Sequence, residues 1–281
     1  MGVNISSERR RTGYYGRRIL FDDQEIDRIQ VQHHFAREAW NGNFSSPIKD
    51  VLNAGGATVL DIGCGAGTFL CEMAADYPNA RYVGVDKLQI FPNTLPKNVT
   101  FIQSDILRGL PFDNDSFDFI YIRFLVFDLA DYEWRMVIDE MTRILKPNGY
   151  LEMMEPRIEM NNKGPITEKI VNAIQVRARS RHLNPYIVDK FNEFMHSTNK
   201  LKNIKYEVKR IPCGKWGDKQ GELGAMYMYE IFKKHLHYVN NIQPNEHDNN
   251  LNNFLKEIEQ FHTYFEFVRC FAQKIKKVDV D

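Results

Sequence analysis

Three carboxylates stand where successive apolar runs end: Asp61 in Val59-Leu-Asp-Ile-Gly-Cys-Gly-Ala-Gly67, Asp86 after Arg81-Tyr-Val-Gly-Val, and Asp105 after Val99-Thr-Phe-Ile-Gln-Ser104. Each suits a different part of one ligand. Asp61, just ahead of the turn, offers its carboxylate to a cation, whereas bare amides would favour a pyrophosphate. Asp86, nineteen residues past Gly67, can accept both hydroxyls of a ribose. Asp105 can accept from the exocyclic amine of adenine, or it can cap a following helix, a common task for Asp at such a junction. Gly63, Gly65 and Gly67 let the backbone turn sharply and approach a ligand without a Cβ in the way. The third glycine comes one residue early for the Gly-x-Gly-x-x-Gly nucleotide fingerprint. Cys64 lies inside the turn, where a small residue fits and no base is placed beside it to make it a nucleophile.

These residues need a parallel sheet to bring them to one edge. Val59, Leu60 and Ile62 suit a strand covered on both faces. Thr68 then opens a helix whose Phe69, Leu70, Met73, Ala74 and Tyr77 share one face until Pro78 stops it. Further strands are expected over Arg81 to Val85, Val99 to Gln103, Phe117 to Ile122 and Tyr150 to Met154. Segment 107–116, with Pro111, Asn114 and Asp115, reads as a loop. Trp134, Val137, Ile138, Met141, Ile144 and Leu145 form a helical stripe closed by Lys146-Pro-Asn-Gly149. Strands alternating with helices at short intervals predict right-handed crossovers in a doubly wound α/β fold.

Outside this core the chain is read in three parts. Residues 1–20 are polar and basic, with Arg9-Arg-Arg11 and Arg17-Arg18, which reads as a disordered tail; the alternative is that Tyr14 and Tyr15 fold over the ligand as a flap. A helix is expected over 22–40, with Ile26, Ile29, His33 and Ala36 on one face and Trp40-Asn-Gly42 ending it. After Glu155-Pro156 the alternation lapses into helical sequence, Pro165 to His182 and Pro185 to His196, so residues 157–200 are expected to be a lid over the ligand edge. Its Arg177, Arg179, Arg181 and His182 either bind an acidic substrate or face solvent. A strand over Ile204 to Ile211, helices over Gly221 to His237 and 251–262, an Asn-rich loop over 240–250 and a closing strand over Tyr264 to Ile275 complete a single domain spanning 21–281, with its core in 50–156 and a C-terminal part in 201–277.

The motifs Asp61-Ile-Gly-Cys-Gly-Ala-Gly, Val83-Gly-Val-Asp86, Asp105-Ile-Leu, Phe117-Asp-Phe-Ile-Tyr and Leu145-Lys-Pro-Asn-Gly-Tyr-Leu resemble those of class I S-adenosylmethionine-dependent methyltransferases. Phe21-Asp-Asp-Gln-Glu-Ile-Asp-Arg28, Gln32-His-His34 and Ile122-Arg123 resemble the fungal LaeA-like (UMTA-type) branch. The resemblance implies a mostly parallel seven-stranded Rossmann-like sheet with an N-terminal helical flap, S-adenosylmethionine as methyl donor and S-adenosylhomocysteine as product. It assigns cofactor contacts to Asp61, Gly63, Cys64, Gly65, Gly67, Asp86, Lys87, Ser104, Asp105, Ile106 and Arg123. In-line displacement at an activated methyl makes a dedicated base optional. Candidates at the right edge are His33, His34, Tyr121, Arg123 and Glu155, and none is assigned. Tyr121-Ile-Arg-Phe stands where adenine-amino methyltransferases carry Asn-Pro-Pro-Tyr, and the Glu pair and Thr-His-Trp of arginine methyltransferases are missing. The acceptor is therefore expected to be a small molecule or a protein, not nucleic acid. A regulatory protein that keeps the fold, with or without the cofactor, is the other reading.

Composition agrees. Of 281 residues, 43% are hydrophobic and 26% charged, and 37 basic residues balance 37 acidic ones, so no global field draws the chain to nucleic acid or an acidic membrane. Cys64, Cys71, Cys213 and Cys270 show no metal-like spacing and read as reduced thiols in the cytoplasm or nucleus. No metal is expected. Neither a membrane span nor a secretory leader is expected either, because no long apolar run exists. The glycine spacing and the lack of Tyr-x-x-x-Lys argue against a nicotinamide-dependent oxidoreductase.

Overall fold

The structure is a computed structural model that describes residues 11–12, 18–19, 23–92, 94–239 and 242–276. Tyr14 and Tyr15, the expected flap residues, lie outside the described residues. Two short strands, β1 (Arg11–Thr12) and β2 (Arg18–Ile19), pair antiparallel where a tail without structure was expected.

Seven strands form the main sheet: β3 (Thr58–Ile62), β4 (Arg81–Asp86), β5 (Val99–Gln103), β6 (Phe117–Arg123), β7 (Leu145–Asn161), β8 (Leu201–Pro212) and β9 (Tyr264–Lys274), in the order β5-β4-β3-β6-β7-β9-β8. The first five run parallel, and β9 is antiparallel to both of its neighbours. The chain reverses direction in strand order at β3 and β6, the place where open parallel sheets leave a crevice at their carboxyl ends. Asp61, Asp86 and Arg123 all stand at that rim.

One element is longer than expected. β7 covers Leu145–Asn161 where Tyr150 to Met154 was predicted, because β9 keeps pairing with it past Pro156, with a register shift between Pro156 and Met160. Proline has no N–H to give the ladder, so the irregularity falls there.

Helix α1 (Asp23–Trp40) ends as expected, with Asn41 at φ +54° and Gly42 N–H donating back to Arg37 O. Phe35 stacks on Tyr227 of α7 (Asp218–Leu236) at 4.5 Å and also meets Phe265 and Phe267 of β9. One face of the sheet is thus covered by α1, by α3 (Thr68–Asp76), whose Phe69 stacks on Tyr121, and by α7. Helix α2 (Lys49–Ala54), which nothing in the sequence reading anticipated, buries Leu52.

Residues 157–200 do not form a lid. Helix α5 (Pro165–Ser180) buries Ile170, Val171, Ile174 and Ala178 and packs against β7, α7 and α8 (His247–Gln260). Helix α6 (Phe191–Ser197) packs with α4 (Asp131–Ile144) and the β8/β9 strands, and Phe191 meets Trp134 at 4.8 Å. Each helix spends its apolar face on the body of the fold. Arg181 alone of this segment reaches the cleft at the carboxyl rim.

Candidate active site

The glycine turn bends directly off β3. Gly63 and Cys64 both donate to Val85 O, at 2.8 and 3.1 Å, and Gly67 N–H donates to Cys64 O at 2.9 Å. Gly63, Gly65 and Gly67 all have positive φ. At Gly67 (φ +75°) a Cβ would sit 2.3 Å from Phe101 Cζ, so this glycine serves packing beneath the turn and does not line the cleft.

The turn opens into a cleft of about 250 Å³. Of the residues expected at a cofactor site, Asp61, Gly63, Cys64, Gly65, Asp86, Lys87, Ser104, Asp105, Ile106 and Arg123 line it, and so does His33. Asp86 is pre-set by its own loop: Oδ2 accepts from Gly65 N–H at 3.0 Å and Oδ1 from Leu88 N–H at 2.8 Å. Burial raises its carboxyl above the usual range, and those two amides pull it back. Asp105 is the cap of the short 3₁₀ turn Ile106–Arg108, accepting from Leu107 N–H at 3.1 Å, while still facing the cleft. The two readings of Asp105 are therefore compatible.

Asp61 differs from its neighbours. It is 2% exposed, and no described residue donates a hydrogen bond to its carboxylate. Burial pushes it up to about 7, Arg123 opposes the rise, and Asp86 adds to it. A buried carboxylate without a donor is costly unless a cation or donor arrives from outside.

Arg123 and His33 form the cleft's other charged feature. Arg123 lies over the Phe69 ring at 5.2 Å, and its Nη2 donates to His33 Nδ1 at 2.9 Å. The other ring nitrogen, Nε2, meets the Glu72 carboxylate, which also pairs with Arg37. Because a guanidinium only donates, Nδ1 is an acceptor and the imidazole proton sits on Nε2, toward Glu72. Burial and the Arg123 charge push His33 down to about 4, against the pull of Glu72. His33 is neutral near pH 7, with both nitrogens engaged.

The other base candidates do not reach the cleft. His34 is exposed on the opposite side of α1. Tyr121 is fully buried, stacked on Phe69 at 4.3 Å, with its hydroxyl 3.8 Å from Met154 Sδ. Glu155 is also fully buried. It accepts from Leu125 and Val126 N–H at 2.7 and 3.1 Å and so pins the loop after β6, while burial raises it to about 8. Burial also raises the Cys64 thiol far above its ordinary range, which agrees with a space-filling role.

Of the far wall, sequence reasoning reached only Gln32: Glu25, Arg28 and Gln32 of α1 and Ile231, Lys234 and His235 of α7 line the same cleft. The α1 residues recur at i, i+3 and i+7, a polar stripe that spacing could have revealed. Those of α7 carry no local signal. Among the described residues no group of three His, Cys, Asp or Glu side chains could hold a metal ion, and no helix is long and apolar enough to cross a membrane.

Comparison with known proteins agrees with this architecture. Residues 59–149 match the family model described as a methyltransferase domain. The chain is 33% identical over 151 residues to the methyltransferase pytC of Aspergillus terreus, covering 52% of this chain and 44% of that protein. It is 30% identical over 139 residues to the secondary metabolism regulator laeA of Coprinopsis cinerea, covering 48% and 34%. The matches thus span less than half of these relatives' own lengths. A phosphoethanolamine N-methyltransferase 2 of Haemonchus contortus, solved with S-adenosyl-L-methionine, shares the fold at TM-score 0.54 and 16% identity, over 91% of this chain and 59% of that one. The sheet order, glycine turn and acidic rim agree with that methyltransferase-domain match over residues 59–149, and the likeness to the solved structure is one of fold.

Proposed function

We propose that this protein transfers the sulfonium methyl of S-adenosylmethionine to a small-molecule acceptor by in-line displacement. The observation that carries the reading is Asp61, a carboxylate buried at the rim with no described donor, a few residues from a glycine turn and an already oriented Asp86. These residues fit the cofactor's chemistry. Asp61 would hold its ammonium, Asp86 would accept from the ribose hydroxyls, Ser104, Asp105 and Ile106 would meet the adenine, and Arg123 would offer a donor to the carboxylate. When bound, the cofactor supplies a methyl already activated by positive sulfur.

What remains for the protein is to position the acceptor and exclude water. Arg123 is clamped between His33 and the Phe69 ring, so its charge is held in place without reorganisation. The same clamp keeps His33 from taking a proton at Nδ1 unless Arg123 lets go. An acceptor whose nucleophile is already deprotonated, or loses its proton to water, therefore suits this cleft best.

Isothermal titration with S-adenosylhomocysteine tests the binding half. Wild-type protein should bind, and Asp86→Ala should lose about 1.5 to 3 kcal/mol for charge-assisted hydrogen bonds. Transfer of labelled methyl to small-molecule pools tests the catalytic half. Binding without any labelled product would favour a regulatory protein, a reading to which the tied-up His33 lends support.

A further inference from the structure

Away from the glycine turn, the wall built by α1 and α7 holds more positive charge than it has carboxylates to meet it. Arg28 and Lys234 share one acid, Glu25. Arg28 Nε and Nη2 donate to Glu25 Oε2 and Oε1 at 2.7 and 2.9 Å, and Lys234 Nζ donates to Oε1 at 2.7 Å. The Arg28, Lys234 and Glu25 side chains are only 10%, 34% and 13% exposed. Two cations on one carboxylate leave a net positive charge in a largely desolvated wall, where an unmatched ion is costly. The cost shows at Lys234: burial and the neighbouring Arg28 hold its ammonium below the usual range, against the pull of Glu25 and Asp128. Asp128 itself lies 3.9 Å from Lys87.

Donor capacity is left over too. No described residue accepts from Arg28 Nη1 or from a second Nζ–H of Lys234. All three residues line the cleft that contains Asp61 and Asp86, and Ile29, Leu125, Phe127 and Ile231 give the same cleft an apolar surface.

We infer that Arg28 and Lys234 form an anion subsite that docks the carboxylate of a small, largely apolar acceptor, with Glu25 as the fixed counter-ion holding the two cations together. This rests on the methyltransferase reading above. The positive charge of this pair suits an anion, and the apolar surface beside it suits a carboxylate on a hydrocarbon body better than a doubly charged phosphate monoester. The arginine contributes a planar fork end and the lysine a movable point charge, which together take a carboxylate and leave a neutral amide unmatched.

The probe is a set of small aromatic and aliphatic carboxylic acids, each paired with its primary amide and with a phosphate monoester of similar size. They are added to the full chain saturated with S-adenosylhomocysteine and read by isothermal titration. Acids should bind at least tenfold more tightly than their amides to wild-type protein. Arg28→Met and Lys234→Met should erase that preference, and Lys234→Arg should keep it. Ligand-free melting and S-adenosylhomocysteine affinity, both retained, show that the variants are folded. If a methionine variant does not fold, the wild-type ratio and Lys234→Arg decide. The subsite is overturned by equal binding of acids and amides, by no binding of any acid, by a preference that survives both methionine variants, or by tighter binding of the phosphate esters. Failure of wild-type protein to bind S-adenosylhomocysteine overturns the methyltransferase reading instead.

Discussion

Asp61 and Glu152 are both buried carboxylates on the central sheet, and their surroundings are opposite. Glu152, where β7 meets the antiparallel β9, is 0% exposed and fully matched: Ser46 donates to it through N–H at 2.8 Å and Oγ at 2.7 Å, Ser45 N–H at 3.0 Å, and Arg269 Nε lies 3.1 Å away. Arg269, 1% exposed, is held in turn by Ser45 Oγ and by the Trp40 ring at 4.6 Å. Asp61, at the parallel rim, has among the described residues only the favourable field of Arg123. The difference separates two uses of buried charge. In the antiparallel half an ion pair staples the turn after α1 to the sheet, and every oxygen has a donor. At the rim the last partner is left for a ligand to supply.

Breaking the staple should have the largest effect. Arg269→Met leaves Glu152 buried without its cation and should cost about 3 to 5 kcal/mol in urea unfolding. S-adenosylhomocysteine affinity of the folded protein should hold, because neither residue lines the cleft. A loss of affinity as large as the loss of stability would merge the two regions into one.

Gly67→Ala probes the ground between them. Its left-handed φ and the clash with Phe101 should together cost about 2 to 4 kcal/mol. Gly56→Ala, also at positive φ but with nothing within 4 Å of its Cβ, should cost about 1 to 2 kcal/mol. Equal losses would mean that the Phe101 contact is soft.

Asp61→Asn should move binding and stability in opposite directions. Affinity for S-adenosylhomocysteine should fall by about 1.5 to 3 kcal/mol as the charged acceptor is lost. The folded protein binds a proton at Asp61 more tightly than the unfolded chain does, since the carboxyl rises from 3.8 to about 7. Stability contributed by this site is therefore lost as pH rises from about 4 to about 7, and the penalty is complete above 7. Ligand-free Asp61→Asn should accordingly match wild-type protein near pH 4 and exceed it by about 2 to 4 kcal/mol at pH 8. For the same reason, wild-type affinity should weaken as pH falls below 7. A variant less stable than wild type at pH 8 would show that Asp61 has a partner in the ligand-free protein.

The smallest effects belong to the segment expected to be a lid. Arg179→Glu, on an exposed position, should change stability by under about 0.5 kcal/mol. Arg181→Glu removes the donor to Phe127 O at 3.1 Å and places a negative charge in the cleft, so it should lower kcat/KM for an acidic acceptor by about fivefold or more, roughly 1 kcal/mol. Equal effects would remove Arg181 from the cleft's electrostatics.

The parallel half was legible because its signals are local. A buried strand reads as a run such as Val59 to Ile62, a tight turn needs glycine, and Asp86 must end a strand to reach the crevice. Each condition is met within a short stretch of chain, so the strand–helix alternation and the acids at the strand ends could be read from spacing, while the seven-stranded sheet and the remaining cofactor contacts were implied by the resemblance. His33 was legible only as a residue near the site. Its tautomer and its low proton affinity follow from Arg123, ninety positions away, and from Glu72.

The rest depended on which residues meet at long range. Nothing near Glu155 in sequence distinguishes a base from an anchor; two amides of the loop after β6, thirty and twenty-nine residues away, take its carboxylate. The stripe of α5 spelled an amphipathic helix correctly, and whether that helix covers a cleft or the body of the fold was decided by α7 and α8. Lys234 became part of the site because the Phe35–Tyr227 stack draws α7 onto α1. Local sequence sets backbone periodicity and turn chemistry, since those energies lie between near neighbours. Burial, proton affinity and the pairing of charges are properties of the surroundings, and in this protein the surroundings of Glu155 and Lys234 come from segments far away along the chain.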